Sequence, residues 1–291
     1  MNKHLALYLK GVAMGIADLV PGVSGGTIAL ISGIYYKLIT SLAKIDLAFF
    51  SKMLRFKFAS LQKDYDILFF IVLGTGILSG IAGGASLVHY ALDNYSPVIY
   101  SLFAGMIIAS AISLIDRTIL KALAMWVGII LGFLLIFGIQ VNLPWTPLAI
   151  FFAGGLAICA MLLPGISGSL ILVLLGLYEP IINALIALDI FHISFFIAGA
   201  LTTLFGFSRL ILLSLQNYKK QTEGFIAGLM LGVLPKLWPW QSSEYSLELM
   251  SPAAYSTHGT SSYIVGVIIA FIAGLAMIFA LQKIRHRPQK N

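Results

Sequence analysis

Long apolar stretches with almost no charged residues occupy most of this 291-residue chain. A helix needs about 20 consecutive apolar residues to cross the hydrocarbon core of a bilayer. Uninterrupted stretches of roughly that length lie at about 67–90, 97–116, 122–140, 193–216, 222–238 and 262–282. Only 10% of the residues are charged and 59% are hydrophobic, so the charges are too few to cover a water-soluble surface. We therefore predict an all-α, polytopic membrane protein, with 1–291 forming a single integral membrane domain.

Two further apolar regions, 5–43 and 148–188, are each interrupted near the middle by a Pro-Gly pair. Proline removes a helix hydrogen bond and biases the residue before it away from helix. Each region therefore predicts a broken, re-entrant pair of short helices. A shift of 143 residues aligns 11–46 with 154–189 without a gap, and thirteen positions are then identical. The identities centre on PGVSG at 21–25 and PGISG at 164–168.

The cations favour one arrangement of these segments. If each broken region enters and leaves the membrane on one side, a single face receives Lys3, Lys10, Lys44, Lys52, Arg55, Lys57, Lys63, Arg117, Lys121, Lys219, Lys220, Lys283, Arg285, Arg287 and Lys290. Lys236 then lies on the other face. Lys and Arg concentrate in cytoplasmic loops, so we predict that both termini are cytoplasmic, in a bacterial inner or plasma membrane.

A hairpin plus three transmembrane helices crosses the membrane an odd number of times. Repeat one (5–140) and repeat two (148–282) are therefore predicted to be inverted relative to each other. Inverted repeats with broken helices are typical of secondary transporters, whose binding sites lie at the breaks.

The cysteine count and the net charge exclude several classes of function. The single cysteine, Cys159, predicts neither a disulfide framework nor a metal cluster, and we predict no cofactor. The net charge of +7 is explained by cytoplasmic loops, so no nucleic-acid partner is predicted.

Apolar residues recur at helical spacing within 47–61 with cations between them, which predicts a short helix on the anionic cytoplasmic leaflet. A solvated loop is the alternative.

The two Pro-Gly loops are the candidate binding site. Glycines at such a break expose backbone N–H groups, and the helix that restarts there points its positive end at the same spot. Serine and threonine hydroxyls add donors, so the loops suit an anion such as phosphate. The alternative is that these residues only permit a tight turn and close helix packing. The predicted headgroup-binding residues are Ser24, Gly25, Gly26, Thr27, Ser167, Gly168, Ser169 and Arg209.

Three charged residues within apolar segments have two interpretations each. Asp18 lies three residues before the first break and is either a proton-coupling residue, since intramembrane acids are usually functional, or a cap on the helix that restarts. Glu179 is a second candidate for proton coupling, or is solvated near the outer interface. Arg209 contacts an anionic headgroup or extends its side chain to the interface.

The motif GxxxGxADxxPGVSGGT at 11–27, followed by GIY at 33–35, closely resembles the bacterial undecaprenyl-phosphate translocases of the PopT type. The second loop and GLYE at 176–179 fit as well, and the resemblance covers nearly the whole chain. It implies a flippase, not an enzyme, that recycles the C55 lipid carrier phosphate from the outer to the inner leaflet for cell-wall synthesis. Tyr36 departs from the family pattern, where we expect Glu. This departure argues against a symmetric pair of acids with Glu179.

Two other functions remain open from the residues alone. The first loop also resembles the PGxSRSxxT motif of membrane undecaprenyl-pyrophosphate phosphatases, but Gly25 and Gly168 occupy the arginine positions. Asp18 is the only carboxylate between Lys10 and Val20, so little is present to activate a nucleophile or stabilise a phosphoryl transition state. A small-anion transporter or channel could use the same loop chemistry. The expected partners are polyprenyl phosphate and membrane lipids, with the oligomeric state unassigned.

Overall fold

The computed structural model describes residues 3–20, 22–116, 118–119, 122–137, 141–241, 249–257 and 261–285. Pro21 and four of the predicted cytoplasmic cations lie outside these residues, namely Arg117, Lys121, Arg287 and Lys290. Helices account for most of the described chain, and the β-bridge recorded there joins Gln241 to Leu249. The all-α prediction is confirmed.

The helices are α1 (Lys3–Asp18), α2 (Gly25–Ile31), α3 (Tyr35–Ala43), α4 (Leu47–Leu54), α5 (Phe58–Tyr65), α6 (Ile67–Leu114), α7 (Leu123–Phe137), α8 (Pro147–Leu162), α9 (Gly168–Leu174), α10 (Tyr178–Ile186), α11 (Ile190–Asn217), α12 (Lys219–Gly232), α13 (Pro252–Thr257) and α14 (Ile264–Arg285), with a 3₁₀ turn at Leu234–Leu237. The 48-residue α6 contains a non-helical residue, Tyr95, two positions before Pro97. Proline disturbs the helix in the turn that precedes it. The stretches 67–90 and 97–116, which the sequence predicts as two separate spans, therefore form one helix with a kink between them.

Apolar helices of membrane-crossing length confirm a multi-pass membrane protein. Within the described residues, α6, α11 and α14 are long and apolar enough to cross a bilayer. Two shorter pairs are sharply bent, α2–α3 by 117° and α9–α10 by 111°. Gly33 and Gly176 lie at the bends with φ of 75° and 68°, a left-handed conformation that favours glycine. The predicted breaks at the Pro-Gly pairs separate α1 from α2 and α8 from α9. The bends at Gly33 and Gly176 were not predicted, so each region forms three helices instead of two. We call α2–α3 the first hairpin and α9–α10 the second hairpin.

The two hairpins have the same local structure at equivalent positions. Adding 143 to the bounds of α2 and α3 gives the bounds of α9 and α10. The preceding helices α1 and α8 both contain 16 residues. The elements therefore follow the sequence repeat, whereas the inversion of the repeats in the membrane stays a prediction.

The chain forms two compact units, and each unit contains parts of both predicted repeats. Unit 1 comprises Met1–Ala85 and Ile139–Lys219, so it holds both broken hairpins. Unit 2 comprises Ser86–Gly138 and Lys220–Asn291. The compact units are therefore not the two repeats, and the prediction of one integral membrane domain stays a prediction.

Glycines bring helix backbones into contact within each unit. In unit 1 a Cβ added to Gly11 of α1 would lie 3.0 Å from the Cα of Gly76 in α6. In unit 2 a Cβ on Gly132 of α7 would lie 3.0 Å from the Cα of Gly232 in α12. Small residues at such crossings allow the close helix contacts that are common in membrane proteins.

The segment predicted as one helix over 47–61 forms two helices, α4 and α5. The break carries Phe56 at a positive φ of 51°. Leu61 is buried while Leu54 and Phe56 are about three-quarters exposed, at 76% and 75%. The helical prediction is right in type and wrong in continuity, and contact with the cytoplasmic leaflet stays a prediction.

Candidate functional site

The two Pro-Gly loops lie against each other inside unit 1. The backbone N–H of Gly165, in the second loop, donates to Thr27 Oγ1 at 2.9 Å. Ser24 Oγ donates to the carbonyl of Met161 at 3.4 Å. Ser24 and Thr27 of repeat one therefore bond directly to Met161 and Gly165 of repeat two. None of the described hydrogen bonds joins Ser167, Gly168 or Ser169 to the first loop.

A tight turn precedes each restarting helix. Gly22 and Gly165 have φ of 82° and 96°, so both loops use a left-handed glycine after the proline position. Ser24 then caps α2, because its Oγ accepts from the N–H of Gly26 at 3.1 Å. Ser24 and Thr27 are each 1% exposed. Their hydroxyls therefore belong to the interior and not to a surface turn.

Asp18 caps α2 from the end of α1. Its Oδ1 accepts from the N–H of Gly25 at 2.6 Å. A Cβ on Gly25 would lie 2.7 Å from Asp18 Oδ2, so glycine is what lets the carboxylate approach. The capping interpretation of Asp18 therefore matches the geometry. Its proton-coupling interpretation stays a prediction.

The second loop presents its polar groups differently. Met161 takes the position equivalent to Asp18, with its Cγ 2.8 Å from where a Cβ on Gly168 would be. Ser167 makes no side-chain capping bond and is hydrogen-bonded to Ser169 instead, Oγ to Oγ at 2.7 Å. Ser167 is buried and Ser169 exposed. The hydroxyls of this loop are therefore engaged with each other.

The remaining predicted site residues lie at other helix ends. Glu179 is exposed in the first turn of α10, where the helix dipole favours a negative charge. The guanidinium of Arg209 donates to the carbonyls of Ala43, at 3.1 Å, and Ile45, at 2.7 Å. None of its described hydrogen bonds goes to either loop. Arg209 therefore binds the carbonyl end of α3.

Two residues that the motif does not predict bind the ends of α8 and α2. Tyr35 donates its hydroxyl to the carbonyl of Leu162 at 3.0 Å and is buried, which ties α3 to the end of α8. Lys10 Nζ donates to the carbonyl of Ser32 at 2.8 Å. Tyr35 is identical to Tyr178 in the repeat, which is a signal of its role, whereas the sequence marks Lys10 only as a cytoplasmic cation.

The described residues do not form a cluster of metal ligands. In the described residues, three or more His, Cys, Asp and Glu side chains do not come together in a group that could hold a metal ion. The site chemistry there is that of backbone N–H groups, hydroxyls and one carboxylate.

The fold and the site define a multi-pass helical membrane protein with a buried polar site between two broken helical hairpins. The chain belongs to the VCA0040-like family, described as undecaprenyl phosphate translocase-like, whose model matches residues 14–254. It is similar to a polyprenyl-phosphate transporter of Vibrio cholerae serotype O1, with 35% identity over 96% of each chain. It is also 29% identical to a polyprenyl-phosphate transporter of Staphylococcus aureus, over 79% of this chain and 85% of the relative. No solved structure matches the chain.

Proposed function

We propose that this protein is a flippase that moves polyprenyl phosphate, undecaprenyl phosphate in particular, across the bacterial cytoplasmic membrane for reuse in cell-wall synthesis. The family match and the names of both relatives support the proposal. The structural observation that carries it is the Thr27–Gly165 hydrogen bond, which joins the two Pro-Gly loops at one buried polar site.

The loops are proposed to hold the phosphate headgroup while the prenyl tail stays in lipid. A bare charge in hydrocarbon is strongly unfavourable, so the headgroup needs polar groups partway across. A hydroxyl group can both donate and accept a hydrogen bond. The side chains of Ser24, Thr27, Ser167 and Ser169 can therefore donate to the oxygens of a phosphate. A headgroup oxygen would replace the internal hydrogen-bond partners of these hydroxyls.

Asp18 is proposed to couple headgroup binding to a proton. Its carboxylate and a phosphate oxygen compete for the N–H of Gly25, and two negative charges at one donor repel each other. Protonation of Asp18 removes this repulsion, so a proton and the lipid phosphate bind together. Glu179 is a second proposed proton site, and its side chain is exposed in the first turn of α10.

Arg209 is proposed as a headgroup contact outside the loops. Its Nε and one Nη group donate to the carbonyls of Ala43 and Ile45. A guanidinium has five N–H donors, so others remain to meet an anionic headgroup.

The membrane arrangement is part of the proposal. We place both termini in the cytoplasm and the two repeats in inverted orientation, with the loops reached alternately from either side. Because both hairpins belong to unit 1, this motion changes contacts inside that unit and does not separate one whole repeat from the other.

Transport is proposed without enzymatic hydrolysis. In the first loop the position of the phosphatase arginine is taken by Gly25, which the Asp18 carboxylate covers. That arrangement places a negative charge where hydrolysis needs a positive one. Release of inorganic phosphate from polyprenyl pyrophosphate by the purified protein would revive the phosphatase alternative.

A Ser24→Ala, Ser167→Ala double variant tests the assignment of the loops. One hydrogen bond to a charged group contributes about 1.5–3 kcal/mol, so transport of lipid phosphate at subsaturating substrate should fall at least about tenfold. Ser110→Ala is the matched control, because Ser110 is also buried and its hydroxyl donates to the carbonyl of Met106 within its own helix. Wild-type transport by the double variant would exclude the two hydroxyls from headgroup binding.

A further inference from the structure

Two charged side chains on α1 hold the two ends of the short helix α2. Asp18 accepts from the N–H of Gly25 at the start of α2, at 2.6 Å. Lys10 Nζ donates to the carbonyl of Ser32 at its end, at 2.8 Å. The eight-residue separation of the charges is about 12 Å along a helix, and the seven residues of α2 cover about 10 Å. The helix α2 therefore runs back along α1 with its length matched to the spacing of the charges.

The signs of both charges suit the dipole of α2. A negative group is favourable at a helix N-terminus and a positive group at its C-terminus. Both side chains are half-buried, and electrostatic interactions strengthen where water is excluded. The two contacts therefore act together to keep α2 on α1.

A third charge holds the other half of the first hairpin. The guanidinium of Arg209 donates to the carbonyls of Ala43 and Ile45, at and just beyond the end of α3. The fork of an arginine suits two neighbouring carbonyl acceptors. The first hairpin is therefore tied to α1 and α11 by charged side chains at three helix ends.

The helix before the second hairpin, α8, lacks the two charged residues that α1 provides for the first hairpin. With the shift of 143 residues, Met161 stands at the place of Asp18 and Ala153 at the place of Lys10. The carbonyl of Leu175, equivalent to that of Ser32, accepts from the backbone N–H of Leu143 at 3.0 Å. The N–H of Val141 also donates to the carbonyl of Leu174, at 2.8 Å. The helix α9 is thus held at its end by two backbone amides, and α8 supplies no charge at its start.

We propose that Lys10 is a positioning residue that, with Asp18, fixes the first hairpin to α1 and leaves the second hairpin as the part that moves during transport. This inference rests on the proposed function. Lys10 acts by setting the place of the first loop, not by touching the lipid phosphate.

Backbone amide exchange in the full chain, reconstituted in lipid nanodiscs, tests the difference between the hairpins. Peptides covering 22–34 should exchange more slowly than those covering 165–177. Lys10→Met should raise exchange in the first peptide about tenfold, the effect of losing one charge-assisted hydrogen bond, and leave the second unchanged. Lys10→Arg should restore protection, and Lys57→Met, which removes an exposed cation, should have no effect. Equal protection of the two hairpins, or no response to Lys10→Met, would overturn the proposal.

A gain of charge in the second hairpin gives an independent test if Lys10→Met does not fold. Met161→Asp places a carboxylate against Gly168 as Asp18 lies against Gly25. Exchange over 165–177 should then slow, and the kcat of lipid-phosphate transport should fall about tenfold with KM little changed, while Met161→Leu should match wild type. Unaltered exchange and kcat in Met161→Asp would contradict a mobile second hairpin. A wild-type protein that moves no lipid phosphate would instead refute the proposed function, since the exchange measurements do not depend on transport.

Discussion

At the scale of single residues, glycine decides which polar groups can meet at the site. The absence of a side chain on Gly25 lets the Asp18 carboxylate reach its N–H group at 2.6 Å. The equivalent Gly168 is covered by Met161 instead. One substitution between repeats, from a carboxylate to a thioether, therefore changes how two otherwise similar loops are capped.

Gly25→Ala should destabilise the protein. The added Cβ would lie 2.7 Å and 3.0 Å from the two carboxylate oxygens of Asp18, so the carboxylate must move and its bond to residue 25 weakens. Overpacking of this kind costs about 1–3 kcal/mol, which thermal unfolding in detergent would detect as a lower Tm. Gly83→Ala is the control, since a Cβ there meets no atom within 4 Å. A Tm for Gly25→Ala equal to that of the control would refute this account of the loop.

The sequence predicted the residue types of the site better than their partners. Ser24 and Thr27 follow from the repeated motif, since a break rich in hydroxyls has a chemical meaning that can be read locally. The bond from Tyr35 to Leu162 crosses 127 positions of sequence, and no local pattern specifies such a contact. Lys10 was missed because its partner, the carbonyl of Ser32, carries no signal in the side-chain sequence.

At the scale of elements, the Pro-Gly pairs predicted the breaks between α1 and α2 and between α8 and α9, and the repeat predicted that the two regions break alike. The bends within the hairpins, at Gly33 and Gly176, were not predicted. The segment at 47–61 was harder, because apolar spacing alone does not reveal a change of chain direction. Asp46 begins α4 by accepting from the N–H of Phe49 at 2.9 Å. It also accepts from the hydroxyl of Tyr65, at the end of α5, at 2.7 Å. This hydrogen bond holds the start of α4 against the end of α5, which one straight helix over the segment would not allow.

The Asp46–Tyr65 contact should make α4 and α5 sensitive to acid. The hydrogen bonds from Tyr65 and from the N–H of Phe49 hold the pKa of Asp46 below its usual value. A carboxyl whose pKa is lowered on folding contributes stability above its unfolded pKa, about 3.9, and loses it as the pH falls through the folded value. Tyr65→Phe should therefore lower Tm at pH 7, and this difference from wild type should shrink as the pH falls below about 4. The exposed Tyr90→Phe should show no such pH-dependent difference, and a constant difference for Tyr65→Phe at both pH values would argue against the contact.

At the scale of the whole molecule, the compact units and the sequence repeats divide the chain differently. Unit 1 takes the hairpin and the following helix from each repeat, and unit 2 takes the later helices of both. Hydropathy and the repeat predicted the order of the apolar helices and the position of the two broken regions. They did not predict α13 or the division of 47–61 into two helices. They could not predict this grouping, because it depends on which glycine-lined helix faces meet after folding.

The movement of a prenyl phosphate across a bilayer tests the central claim most directly. Purified protein would be reconstituted into vesicles with a short-chain polyprenyl phosphate that carries a fluorophore on its tail, and a membrane-impermeant reductant would report how much fluorophore becomes reachable from outside. Wild-type protein should expose label from the inner leaflet, whereas the Ser24→Ala, Ser167→Ala variant should resemble protein-free vesicles. Wild-type protein should not take up inorganic phosphate. Inner-leaflet label that stays protected with wild-type protein, or uptake of inorganic phosphate in place of lipid movement, would contradict the central claim.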